Sequence, residues 1–187
     1  LLFTAGVDRG MGRGVFSSMA GALSAASMQI LSADTNVLDD GLLLLHYETT
    51  DQIHPTKSPP DRIEKVCQAL VDAVDSADPP RFQRQWGLQQ SEESKRLTQL
   101  SNKVNIDNHA SDSSTVVEVF TFDRTGLLYE LARRVHDLEL IIQHAKIGTF
   151  LDQVVDVFYV TNRNLQKITD DEHLEYIRQQ MLEVIND

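Results

Sequence analysis

Leu127, Leu128, Leu131, Ala132, Val135 and Leu138 fall three and four residues apart, with Glu130, Arg133, Arg134 and Asp137 set between them. That spacing puts the apolar side chains on one stripe and predicts a helix over Leu127–Leu138 that covers something flat and apolar. Upstream, Val116–Phe122 reads as a short strand. Downstream, Ile141–Thr149 and Val154–Thr161 read as two more, joined through Leu151-Asp152-Gln153 by a short hairpin connection. Thr169-Asp170-Asp171-Glu172 then spells a capping box for a closing helix.

The first half of the chain repeats this order. Gly14–Thr49 aligns without gaps on Gly126–Thr161, a shift of 112 residues that keeps Gly14/Gly126, Ala20/Ala132, Ala33/Ala145, Asp40/Asp152, Tyr47/Tyr159 and Thr49/Thr161 identical. Strands are predicted at Leu1–Val7, Gln29–Leu38 and Leu42–Thr49, with Asp39-Asp40-Gly41 between the last two, and a helix at Val15–Ala26. A second helix follows Ser58 as cap and Pro59 in its opening turn. Each module therefore runs strand, helix, strand, strand, helix. Lys103–Asp107 reads as a fourth strand, one that 103–113, at the start of the second domain, could supply to the first module, whereas the second module ends on its helix at Asp187 without one. The expected division is a first domain at 1–80, a linker at 81–102 with a helix near Ser91–Leu100, and a second domain at 103–187. Split strand-helix-strand units of this kind make an α+β fold: two tandem ferredoxin-like (βαββαβ) domains, each an antiparallel sheet with its helices on one face.

Composition narrows the function. The 187 residues are 41% hydrophobic, enough to bury real cores, and 28 acidic against 17 basic side chains give a formal charge of −11. Such a field repels phosphate backbones and anionic lipid, so neither nucleic acid nor a membrane is an expected partner. The longest apolar runs, Gly41–Leu45 and Val154–Val160, are too short to span a bilayer. A single cysteine, Cys67, has no disulfide or thiolate-cluster partner, so a reducing, cytoplasmic location is expected. The chain opens directly on strand-like residues, as a trimmed or partial sequence would. His46, His54, His109, His136 and His173 show no metal-ligand spacing, Gly10-x-Gly12-x-Gly14 lacks the context of a phosphate loop, and no nucleophile elbow occurs. No catalytic residue, metal or cofactor is expected.

Asp123-Arg124-Thr125-Gly126-Leu127-Leu128 resembles the D-R-x-G-L-L signature at the first strand-to-helix turn of ACT domains. His144–Thr149 followed by Asp152–Thr161 resembles the last ACT domain of bacterial PII-protein uridylyltransferase/uridylyl-removing enzymes, and Ala20-Gly21-Ala22-Leu23 is similar to the penultimate one. The resemblance covers the second module almost entirely and the first from Gly14 to Asp51. It implies a regulatory domain pair that senses an amino acid, glutamine foremost, with nucleotidyltransferase and hydrolase domains elsewhere in such enzymes. A standalone ACT-repeat sensor and a dimerisation module without ligand are the other two readings. The sequence leaves open whether the modules pair within one chain or, in a homodimer, through sheets of two chains.

The expected ligand site is the turn of the second module. Backbone amides around Thr125, Gly126, Leu127 and Leu128 stand at a helix N-terminus that favours a carboxylate, and Asp123 is placed to accept from an ammonium. Arg124, with Arg9 in the first module, is more often solvated or ion-paired in such a turn. Asp8 and Gly14 are the first module's counterparts, but Gly10-Met11-Gly12-Arg13 puts four residues where the family pattern has one, which places that loop in doubt. His144 and Lys146 share a strand face suited to an inter-domain cleft. Asp156, inside an apolar strand, is expected on a face open to water or to the neighbouring module.

Overall fold

The apolar stripe of Leu127–Leu138 lies on an antiparallel sheet, and the same packing is repeated in the first half. A computed structural model of the chain describes residues 1–8, 14–38, 42–76, 102–150 and 153–187. The first module comprises β1 (Leu2–Asp8), α1 (Val15–Ala25), β2 (Met28–Val37), β3 (Leu42–Asp51) and α2 (Pro60–Asp75). The second comprises β4 (Lys103–Asp107), β5 (Thr115–Phe122), α3 (Leu127–Asp137), β6 (Ile141–Phe150), β7 (Gln153–Thr161) and α4 (Asp171–Asn186). Strand orders are β1-β3-β2 and β4-β5-β7-β6, all antiparallel. This is the α+β architecture of tandem ferredoxin-like domains. The linker helix expected near Ser91–Leu100 lies outside the described residues.

The fourth strand corrects the sequence reading. Lys103–Asp107 pairs with β5, Lys103 opposite Phe120 and Asp107 opposite Val116, and so completes the second sheet rather than the first. The short segment between β4 and β5 lets the two strands fold back as neighbours, whereas the first sheet is reached from β4 only across the intervening chain. Two caps also shift. Pro59 is the N-cap of α2 without a side-chain bond, because Ser58 Oγ donates instead to Asp51 Oδ2 at 3.0 Å. In α4 the cap is Asp170, whose carboxylate accepts from the His173 N–H at 2.8 Å, one residue beyond the expected Thr169.

The repeat also slips by one residue in its last strand. Ala33 pairs with Tyr47, but Ala145 pairs with Phe158, so Phe158 and not Tyr159 takes the place of Tyr47. Side chains alternate faces along a strand, so a slip of one reverses the face of every residue. Tyr47 is fully buried and its hydroxyl donates to the Phe16 carbonyl at 2.9 Å, while Tyr159 lies on the opposite side of its sheet, half-buried. Asp156 is thereby turned onto the helix-covered face with Val154, Phe158 and Val160 and is 1% exposed. This overturns the expectation of a face open to water or to the neighbouring module.

The modules meet side by side. Strand β2 runs against β6, where Thr35 Oγ1 donates to the Gln143 carbonyl at 2.7 Å, and α1 packs on both α2 and α3. Between them and the sheet, α1 buries Val15, Phe16, Met19, Ala20, Ala22 and Leu23. Its run of small residues, Ala20-Gly21-Ala22, permits close approach. The outer helices keep a narrower stripe: α2 buries Val66 and Leu70, with Cys67 exposed.

Among the described residues two aspartates are buried, one in each sheet, and their carboxyl pKa values shift in opposite directions. Burial pushes the Asp51 carboxyl up, but hydrogen bonds from Arg62 Nε, the Ile53 N–H and Ser58 Oγ outweigh it and hold it at about 2. Arg62 also donates to the Ala26 carbonyl, so the pair ties the end of β3, the start of α2 and the α1–β2 turn together. Asp156 has one hydrogen bond to offset its burial, from the Gly148 backbone, and its Oδ1 has no partner, so its carboxyl is raised well above the usual carboxylate range.

Stability linked to Asp51, whose native pKa is depressed, is present above about pH 4 and lost as pH falls through about 2, whereas stability linked to Asp156, whose native pKa is raised, is present in acid and lost as pH rises above about 4. Asp51→Asn is expected to lower stability at pH 7 by about 3 kcal/mol, because it breaks a buried pair, and by progressively less below about pH 4. Asp156→Asn is expected to do the reverse, its melting temperature gaining on the parent chain as pH rises from about 4 to about 8. Parallel melting curves of parent and variants across that range check both signs.

Candidate functional site

At the end of β5 the backbone turns through Asp123-Arg124-Thr125-Gly126 into α3. Gly126 is the N-cap with φ 84° and ψ 1°, a left-handed conformation that L side chains adopt at a cost. The Leu127 N–H is used by the Arg124 carbonyl at 3.1 Å, which closes the turn on itself. Arg124 is 4% exposed: its guanidinium pairs with Glu130 Oε2 at 2.5 Å and donates to the Val184 carbonyl at 3.0 Å. It therefore bolts the turn to the first turn of α3 and the last of α4. Asp123 is half-buried, and its charge adds to the upward push on Asp156.

The first module makes the same turn. Gly14 caps α1 with φ 81° and ψ 0°, and Ser17 Oγ donates to the Gly14 carbonyl at 2.8 Å. A Cβ built on Gly14 would come within 3.6 Å of the His136 ring, so the two modules approach closely there. Asp8 is exposed at the end of β1, and Arg9 and Gly10–Arg13 lie outside the described residues.

Side-by-side packing sets each glycine turn against the other module, creating two clefts. In one, Asp123–Leu128 faces Ser24, Met28–Ile30 and Gln52 around a cavity of about 60 Å³. In the other, Gly14, Phe16 and Ser17 face His136, Glu139–Ile142 and Arg163 around a cavity of about 300 Å³, floored by Thr35, Leu43 and Leu45. The two are related by the repeat: Gly14, Phe16, His136 and Leu140 in the larger stand where Gly126, Leu128, Ser24 and Met28 stand in the smaller. At the mouth of the larger cleft Arg163 pairs with Glu139 Oε1 at 2.6 Å.

Of the residues singled out from the sequence, Asp123 through Leu128 all line the smaller cleft and Gly14 lines the larger. His144 and Lys146 line neither. They share one side of β6, where the His144 ring packs on Tyr159 at 5.3 Å, Lys146 Nζ stands 5.8 Å from the same ring, and His144 Nε2 lies 3.7 Å from Asp34 Oδ1 in the first module. His136, Glu139 and Arg163 were not singled out as ligand contacts. Their signal was the repeat: Ser24 and Gln52 line the smaller cleft, and their counterparts, His136 at a shift of 112 and Arg163 at the 111 of the strand register, line the larger, with Glu139 three residues beyond His136.

Residues 110–186 match the family model described as the ACR family N-terminal ACT domain. Over 175 residues, 93% of its length, the chain is 31% identical to the bifunctional uridylyltransferase/uridylyl-removing enzyme of Azospirillum brasilense, of which it covers 19%. It is 32% identical to the enzyme of that name from Gluconobacter oxydans (90% of the chain, 18% of the relative) and 32% identical to that from Rhodospirillum rubrum (89% and 18%). The chain spans about a fifth of the length of these curated relatives.

Proposed function

Because residues 110–186 match an ACT-domain family model and nine-tenths of the chain is similar to one segment of uridylyltransferase/uridylyl-removing enzymes, we propose that it is a regulatory module of such an enzyme, one that senses an amino acid, with glutamine as the favoured ligand. In this reading the module has no chemistry of its own. Its ligand state biases the balance between transfer and removal of a uridylyl group elsewhere in the parent protein.

One observation carries the reading: each glycine turn opens against the first residues of the neighbouring module's β2 or β6, so anything bound there touches both modules. A ligand shifts a conformational equilibrium only by its difference in affinity between the two states. A cleft walled by two packed modules supplies that difference, because a change in their relative position opens or closes it. The polar atoms of Ser17, Thr35, Glu139 and Arg163 in the larger cleft suit the charged and polar groups of an amino acid.

The test is a thermal-shift screen of the chain against the twenty amino acids with glutamine titrated, since a ligand at about 100 times its Kd stabilises the folded state by about 2.7 kcal/mol. A saturable rise selective for glutamine is expected. Selectivity for another amino acid would reassign the ligand within the sensor reading, and no rise with any of them would overturn it.

A further inference from the structure

The two clefts are equal by sequence ancestry but not by content. Resting on the sensor reading above, we propose that the chain binds one amino acid, not two, in the cleft beside Gly14, where Arg163 and Glu139 hold the charged ends and Ser17 and Thr35 select a side chain that donates hydrogen bonds. The turn that carries the family signature, at Gly126, serves as the structural partner of that site.

Size separates the clefts first. About 300 Å³ sits at the lower end of small-molecule pockets, about 300–1,000 Å³, whereas about 60 Å³ has room for roughly two waters. Charge separates them next. The register of β3 and β7 puts Gln52 where the second module has Arg163, and the repeat puts Ser27 where it has Glu139. The small cleft thus lacks the charged pair at its mouth, and the arginine of its own turn is already engaged by Glu130 and the Val184 carbonyl.

The Arg163–Glu139 pair has the form a zwitterion requires: a planar cation for the α-carboxylate and a carboxylate for the α-ammonium. The two side chains are 57% and 62% exposed, so their mutual attraction is weak and an amino acid exchanges it for two bonds of the same kind. The Glu139 backbone adopts the left-handed conformation, φ 62°, at the end of α3, which fixes where its side chain leaves the chain.

The interior supplies the selectivity. Ser17 Oγ and Thr35 Oγ1, 7% and 2% exposed as residues, each spend their one proton on a backbone carbonyl, Gly14 and Gln143 respectively. What they turn toward the cavity is lone pairs. Around them Phe16, Leu45, Val135 and Ile142 are apolar, and the His136 ring stands to one side, beside Gly14. A side chain ending in a carboxamide, with two N–H donors, matches those acceptors. A carboxylate of the same length has no donor and faces lone pairs with lone pairs, and a site built to bond one such group rejects the isostere lacking it.

The experiment is isothermal titration of the chain with L-glutamine and L-glutamate, alongside Arg163→Ala, Arg163→Lys and Gln52→Ala, each checked for an unchanged melting point without ligand, and Thr35→Val, which also loses its bond to the Gln143 carbonyl and is checked for cooperative unfolding. The expected results are one glutamine per chain with glutamate at least tenfold weaker, loss of at least tenfold in affinity in R163A with partial recovery in R163K, a narrowed glutamine-over-glutamate ratio in T35V, and no change in Q52A. Two equivalents per chain, binding intact in R163A, or binding lost in Q52A would overturn the proposal while the sensor reading stands. No binding of either compound in the parent chain overturns this assignment, and the screen of all twenty amino acids then decides separately whether the sensor reading falls with it.

Discussion

Strands β2 and β6 lie side by side, yet the hydrogen-bonded ladders of the two sheets end on them. Each would be an exposed edge in an isolated module, a liability that proteins cover or blunt. Here each covers the other, stitched by Thr35 Oγ1 to the Gln143 carbonyl, while α1 and α3 close the layer above. Both candidate clefts depend on that juxtaposition. It carries each glycine turn to the start of the opposite module's edge strand.

The elements were legible because their signals are local. The three-and-four spacing of α3 and the glycine turns at Gly14 and Gly126 were readable from a few neighbouring residues, and so was the hairpin between β6 and β7. The features that escaped depend on pairing between distant segments. Nothing near Lys103 states which sheet it joins. Tyr47 and Tyr159 match as letters, but the hairpins that precede them differ by a residue in pairing, and register follows the ladder rather than the alignment. Asp156 looked like an outward-facing residue because a carboxylate is costly to bury, and nothing beside it in sequence states the register that turns it inward.

The candidate site divides along the same line. The family signature at Asp123–Leu128 could be read directly, and it does lie against the other module. What it could not reveal is that Arg124 is consumed by Glu130 and Val184, contacts made across α3 and α4. Nor could it reveal that the roomier cleft belongs to its counterpart. Glu139 and Arg163 are 24 residues apart in sequence and meet because β6 and β7 fold back on each other.

The one-residue slip between β3 and β7 also bears on how a duplicated chain avoids scrambling. Tandem repeats of similar sequence invite strands of one copy to insert into the other during folding. If β7 took the place of β3 by following the sequence alignment, its faces would be reversed, presenting Val155, Val157 and Tyr159 to the helices and withdrawing Val154, Phe158 and Val160. The wrong partner therefore fails at every position at once. A single lost residue in a hairpin gives each copy a private key to its own core, and identity between the halves ceases to be interchangeability.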